Sequence, residues 1–423
     1  MTAQIPHKLK FLFIFLIVLF ILALPTSIAG IEATSWSIAL ILFLYSLVER
    51  LKFKRKTFID IEYGWTLWGF WAVVFFGALL IDGIDPSDKI FMIGDLRWIL
   101  LLYVWSTLFY QFQSRQERAF SILMSILVVG AVYGIVQFPT GIDIFRGISR
   151  DPDLSDRFWR SKGFFSNTMT FSYSYGMWFC LLLTSSLLGL GKTRWQRIAI
   201  WAATFVVGSS LILTFTRGLW IALVAASGIL FFRLNKTWFY RFLAGLILCA
   251  SLSYITILPV RNRIDSIFST TNVSNSHRLN IWRANWEMFK EHPLLGVGYR
   301  QNSRKIESYY KKLEIENGFI GHAHNNILQV LAGTGLLGFI FWSLFNISAL
   351  ISAFRLQQIV KKYGSTWDKV VAYGGFSALC LLHIGGITES NFFDGEVNHS
   401  MVVICALIFS LSYQFKTKNQ SSS

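Results

Sequence analysis

The chain has 423 residues, of which 54% are hydrophobic and only 15% charged, whereas a soluble globular domain carries roughly a quarter charged residues. Aromatics reach 17%, with 39 Phe and 16 Trp, a surplus suited to lipid contact and interfacial belts. Apolar runs of about 20 residues recur from end to end, which excludes both a soluble domain and the alternating strands of an outer-membrane barrel.

The pattern predicts an all-α, polytopic integral membrane protein with about twelve spans. They fall at roughly 11–29, 33–49, 64–82, 91–112, 119–138, 168–190, 198–214, 218–233, 240–258, 326–354, 370–388 and 400–415. Ser27-Ile28-Ala29 resembles a signal-peptide cleavage site, but the preceding apolar run is long for a signal peptide. Short basic loops follow alternate spans. They carry Lys52, Lys54, Arg55 and Lys56, then Arg115 and Arg118, then Lys192, Arg194 and Arg197. Arg233, Lys236 and Arg241 come next, followed by Arg355, Lys361, Lys362 and Lys369, and by Lys416 and Lys418 at the end. The positive-inside rule makes that face cytoplasmic and places both termini there. Two long polar segments, 139–167 and 259–325, lie on the opposite face. The chain thus divides into 1–258 with spans one to nine, 259–325 as a large helical outer loop, and 326–423 with spans ten to twelve.

The net charge of +16 would suggest nucleic acid in a soluble protein. Here topology accounts for the inner basic residues, and no nucleic-acid partner is expected. The outer ones run against the topology rule. Arg146, Arg150, Arg157, Arg160 and Lys162 lie in the first long segment, and Arg261, Arg263, Arg278, Arg283, Arg300 and Arg304 in the second. Arg217 sits in the tight turn Phe215-Thr216-Arg217-Gly218 between spans seven and eight. Arginine holds phosphate through two parallel hydrogen bonds, so these residues point to an anionic ligand. For any single one, snorkelling to the headgroups is the simpler account.

Residues 276–289 read as an amphipathic helix, with Ser276 as N-cap and Leu279, Trp282, Trp286 and Phe289 on one apolar face. Pro293 ends it, and Gly296-Val297-Gly298 forms a compact turn. Cys180, Cys249, Cys380 and Cys405 all lie in apolar runs, with neither metal nor redox spacing. His322-Ala323-His324-Asn325-Asn326 stands where the outer loop meets span ten, ahead of Gln329 and of Gly333-Thr334-Gly335-Leu336-Leu337-Gly338. Histidine moves protons near neutral pH, which makes this stretch the first candidate for chemistry.

Several of these pieces, in this order, resemble the bacterial O-antigen ligase and polymerase superfamily of membrane glycosyltransferases. The pieces are Arg160 to Asn167, Thr216-Arg217-Gly218, Arg278 to Trp282, His292 to Gly298, and His324-Asn325 with Gly335 to Gly338. The resemblance covers roughly 157–340. It implies a metal-independent glycosyltransferase without cofactor in the bacterial inner membrane, with the outer loops and active site periplasmic. The implied donor is an undecaprenyl-diphosphate-linked glycan and the acceptor a hydroxyl of lipid A–core oligosaccharide, both met among membrane lipids. His324 maps to the family's histidine before asparagine, a general base, and Arg217 and Arg278 to arginines that hold the diphosphate. Arg157, Arg160, His322, Asn325, Asn326 and Gln329 are candidate substrate contacts. For the three amides, orienting the histidine or capping the helix is an equal reading. Glu389, Asp394 and Glu396, in the last outer loop, are candidates for sugar or acceptor contact, or merely solvated.

An O-antigen ligase is the leading reading. A polymerase and a protein O-oligosaccharyltransferase use the same donor chemistry and remain alternatives. A transporter or flippase is more distant, because it needs polar groups deep in several spans. Asp95, Arg97 and His383 are the few internal candidates.

Overall fold

The computed structural model describes residues 3–148, 158–268, 273–316 and 318–421. The chain folds into an array of packed helices. They are α1 (His7–Ala23), α2 (Ile28–Phe53), α3 (Trp65–Leu80), α4 (Pro86–Gly94), α5 (Arg97–Gln111) and α6 (Gln116–Thr140). Next come α7 (Thr168–Leu187), α8 (Arg194–Ile212), α9 (Arg217–Leu234), α10 (Lys236–Thr256), α11 (Leu258–Phe268), α12 (Val273–Glu291) and α13 (Asn302–Lys312). The last are α14 (Asn326–Tyr363), α15 (Thr366–Lys369), α16 (Gly375–Gly385) and α17 (Gly395–Ser421). A two-residue hairpin, β1 (Ile142–Asp143) with β2 (Gly147–Ile148), is the one strand pair among the described residues.

Each of the twelve apolar segments read from the sequence lies largely on helix. Among the described residues, seven helical stretches are long and apolar enough to cross a membrane. They are α2, α4 with α5, α6 with the turn before it, α9, α10, α14 and α17. Trp65–Leu80 is apolar but shorter. The protein is a multi-pass, all-α membrane protein.

Helix α7 runs through the centre and is buried along nearly its whole length, against α8, α16 and α17. Small hydroxyl residues permit this close approach, and they satisfy one another. Ser174 meets Ser400 at 3.0 Å, and the Trp178 indole donates to Ser400 Oγ at 3.2 Å. At the periphery α10 packs on α9 and α11 with none of its residues buried.

Three expectations change. Span four is not one helix. It breaks between α4 and α5, where Arg97 pairs with Glu32 and Asp95, and Asp95 also receives Arg300 at 3.0 Å. Charges that a straight span would carry into lipid are gathered at a break instead. Span ten is kinked within α14 at Gly335, with φ 63 and ψ −167. The loop after α12 fills the gap, with Val297 N–H donating to Ala332 O and Gly298 N–H to Gly333 O, at 2.9 and 3.1 Å. Leu336 N–H returns the contact to Pro293 O at 2.7 Å. A side chain at 335 would meet Leu294 backbone at 2.3 Å, so only glycine fits there. Finally, α12 begins at Val273 rather than after Ser276. Ile281, Ala284 and Met288 form a small core with Val297, Ile306, Tyr309, Tyr310 and Ala332, whereas Leu279 and Trp286 are exposed. The face of Leu279, Trp282, Trp286 and Phe289 is thus a second apolar face, more open than the one that packs.

Candidate functional site

Both histidines of the 322–326 stretch reach one cavity, of about 500 Å³, at the end of the array where α14 and α17 begin. His322, His324, Gln329, Tyr173, Arg300, Arg304, Glu389 and Asp394 all contribute to its wall. His324 holds a left-handed backbone, φ 47, rare for a residue with a side chain. Such strain persists only where the surroundings enforce it, and here they do. Asn325 caps α14, its Oδ1 accepting from Leu328 N–H at 3.0 Å while its amide donates to Ile387 O at 2.9 Å. Asn326 N–H donates to Gly386 O at 2.7 Å, and its side chain donates to Asn391 Oδ1 at 2.7 Å. These two amides clamp the start of α14 to the α16–α17 connection.

Behind the loop runs a chain of buried amides. Ala323 N–H donates to Gln329 Oε1, Gln329 Nε2 to Asn302 Oδ1, and Asn302 Nδ2 to Asn285 Oδ1, each at 2.7 Å. Asn285 Nδ2 ends the chain on Ile281 O at 2.9 Å. Ala323 lies between the two histidines, so α12 and α13 set their height above the membrane helices.

The clamp delivers His324 to Glu389. The ring Nδ1 lies 2.9 and 3.0 Å from the two carboxylate oxygens, a contact between residues 65 apart in sequence. Glu389 is buried, at 4% exposure, and also accepts from Ser390 N–H at 3.1 Å. Burial alone would raise its carboxyl. The His324 hydrogen bond, with His322 and Arg278 nearby, outweighs burial and holds Glu389 below the ordinary carboxylate range. An ionised carboxylate has no proton to give, so His324 carries its own on Nδ1. In a neutral ring so held, Nε2 is the acceptor. His322 Nδ1 lies farther from Glu389, at 3.6 Å, and burial lowers its ring below the usual histidine value. Glu389 was only one of three acidic candidates in sequence. Nothing local marks it as the partner of His324.

The arginines form a second feature. Arg160 Nε donates to Thr214 O at 2.7 Å and Arg160 Nη2 to Thr216 Oγ1 at 3.0 Å. Arg263 Nε donates to Phe215 O at 2.8 Å. Arg217 donates to Ser266 O and, at 3.0 Å, to Asn275 Oδ1. Three guanidinium groups therefore converge on the turn between α8 and α9, itself bent by a positive φ of 51 at Phe215. Gly218, beside Arg217, is so close to Thr388 and Tyr173 that a side chain there would meet them at 2.3 and 2.9 Å. The turn thus backs onto the cavity wall without lining it. Arg278 makes no hydrogen bond among the described residues, yet its charge acts on Glu389, His322 and Tyr173. Arg157 lies outside the described residues. Arg300 and Arg304, named in sequence only among the other outer arginines, line the cavity and are anchored by Asp95 and Asp88.

From the same turn an apolar groove of about 640 Å³ descends between α8, α9 and α10, from Ile212, Trp220 and Ile264 to Phe242 and Leu246. The nitrogen and oxygen ligand atoms of His322, His324 and Glu389 also gather within 4.8 Å of one another, close enough to hold a metal ion.

Residues 202–343, about a third of the chain, match the family model described as O-Antigen ligase. The match runs from α8 into α14 and takes in Arg217, Arg263, Arg278 and His324. That family covers ligases and polymerases, which transfer lipid-linked glycans. No curated protein matches the chain.

Proposed function

We propose that the protein is an O-antigen ligase. It moves a glycan from an undecaprenyl-diphosphate carrier to a hydroxyl of lipid A–core oligosaccharide, at the periplasmic face of a bacterial inner membrane. The observation that carries the reading is the buried Glu389 holding His324 by Nδ1 in a cavity at the arginine-rich end of the helices. The acceptor hydroxyl attacks the anomeric carbon, and the carbon–oxygen bond to phosphate breaks with its electrons going to the diphosphate. The acceptor's proton passes to His324 Nε2. Glu389 stabilises the imidazolium that forms, and a base so placed contributes about 10²–10⁴-fold.

The leaving diphosphate gains negative charge, which fixed guanidinium groups stabilise. Arg217, Arg160 and Arg263 at the α8–α9 turn, with Arg278, whose charge reaches Glu389, are the groups for this. The groove below the turn suits a polyprenyl tail, since its lining is almost wholly apolar and includes Ile212 and Trp220, which flank the turn in sequence. A lipid lying there sets its diphosphate at the turn and its first sugar towards His324. Asn325, Asn326 and Gln329 act in this scheme as positioning residues.

The test is reconstitution with lipid-linked glycan and rough lipopolysaccharide. His324→Ala should abolish transfer while donor binding persists, and Arg278→Ala should weaken donor binding. Near-normal transfer by His324→Ala would overturn the proposal. Growth of the lipid-linked chain, with no glycan on the core lipid, would assign a polymerase instead.

A further inference from the structure

We propose that His322, His324 and Glu389 form a binding site for a divalent transition-metal ion such as Zn²⁺, and that occupying it switches transfer off. The inference rests on His324 being the base.

Zinc takes imidazole nitrogen and carboxylate oxygen at about 2.0–2.2 Å, so ligand atoms at tetrahedral angles stand roughly 3.3 Å apart. The two measured contacts to Glu389 Oε1 bracket that spacing, at 2.9 Å from His324 Nδ1 and 3.6 Å from His322 Nδ1. Both histidines turn the same nitrogen to the same oxygen. His322 Nδ1 already presents a lone pair, because His324 N–H points to it at 3.4 Å. The carboxylate is prepared as well. Glu389 is buried, ionised and fixed by Ser390 N–H, the kind of support that orients a metal ligand. The site opens on the cavity, which supplies an entry path and room for a water as fourth ligand. Arg278 and Arg300 act on His322 as repelling charges, so binding is weaker than at a structural zinc site.

The inhibition follows from the imidazole. A metal on Nδ1 of His324 displaces the proton held there, and in the neutral ring that proton moves to Nε2. Nε2 then donates and can no longer accept a proton from the acceptor hydroxyl. Metal and base function exclude each other on one ring. Magnesium and calcium prefer oxygen ligands and should leave the site empty.

Cobalt(II) reports this without substrate. Added to the purified full-length protein in detergent, Co²⁺ should give the visible absorption bands of four- or five-coordinate cobalt, and Zn²⁺ should erase them. Glu389→Gln and His322→Ala should each lose most of that absorption. Because Glu389 is buried and its replacement threatens folding, the half-exposed His322 is the safer arm. In the transfer assay Zn²⁺ should inhibit, chelator should restore the rate, and His322→Ala should be several-fold less sensitive. A wild-type spectrum of weak, octahedral cobalt, or one unchanged in His322→Ala, overturns the metal site. The base reading then still stands if His324→Ala is inactive. Full transfer with zinc bound would instead overturn the base and leave the metal site intact.

Discussion

Glu389→Gln isolates the link between the buried carboxylate and the histidine, because it changes charge and one atom while keeping shape. In the native site Oε1 accepts from both Ser390 N–H and His324 Nδ1, and Oε2 stands 3.0 Å from the same Nδ1. A glutamine that keeps its oxygen at the first position turns its NH₂ towards Nδ1–H, donor against donor. One that flips loses Ser390 and invites Nδ1 to become an acceptor, which puts the proton on Nε2, the wrong tautomer. Either way a charge-assisted hydrogen bond is lost, about 1.5–3 kcal/mol, which is ~10–150-fold in rate. The loss should fall on kcat, with the KM for donor little changed, since the diphosphate is held by arginines elsewhere. The assay is initial-rate transfer in proteoliposomes at saturating acceptor, with circular dichroism and gel filtration establishing the fold. A well-folded Glu389→Gln protein with wild-type kcat would refute the pairing as a catalytic device and reduce Glu389 to a packing residue.

Gly335→Ala should destabilise the protein by about 2–6 kcal/mol, combining a strained backbone with a side chain forced onto Leu294. A fluorescence melt in detergent should show a clearly lowered Tm. The outer loop bearing Arg160 should loosen in acid. Burial alone would raise Asp143, but Lys162 at 3.1 Å, Phe145 N–H and Arg146 outweigh it and hold the carboxyl below its ordinary value. Asp143 therefore binds fewer protons folded than unfolded. Its contribution is present at neutral pH and lost as pH falls below the usual carboxylate range. Hydrogen-exchange protection factors over 142–148 and 158–165 should fall there, and in Asp143→Asn they should be low and flat with pH. For orientation, an impermeant maleimide applied to intact cells should label Ser308→Cys and miss Lys54→Cys, in a background carrying Cys249→Ser. The reverse pattern would contradict the periplasmic placement.

Periodicity and composition revealed the class, because a helix in lipid must satisfy its own backbone and present an apolar surface wherever lipid touches it. That pattern located the helices, and the polar stretch at 322–326 marked a loop whose histidines line a cavity beside Glu389. What the pattern could not reveal is pairing between distant segments. Glu389 looks like Asp394 and Glu396 until folding brings it to His324. Gln329 looks like a sugar-binding amide, yet both ends of its side chain are bonded to Ala323 and Asn302. The break at Asp95 and Arg97 was hidden because hydropathy averages over the charges, whose partners Glu32 and Arg300 are far away in sequence. On α12 the sequence showed the aromatic face, but not that Ile281, Ala284 and Met288 would form the packed one, because their partners lie at 297–332.

The amide chain from Ala323 to Ile281 has a sense of direction. A main-chain N–H can only give and a main-chain carbonyl can only receive, so with both ends fixed the three side chains between them have a single allowed orientation. None can flip alone without setting donor against donor at one joint and acceptor against acceptor at the next. An aspartate at 302 would still receive from Gln329 but would leave Asn285 facing a second acceptor. A leucine would strand both neighbours. These three positions therefore behave as one inherited character. Replacing one amide alone leaves a buried polar partner unsatisfied, a cost that the apolar residues around them do not carry, and the height of the histidine depends on all three.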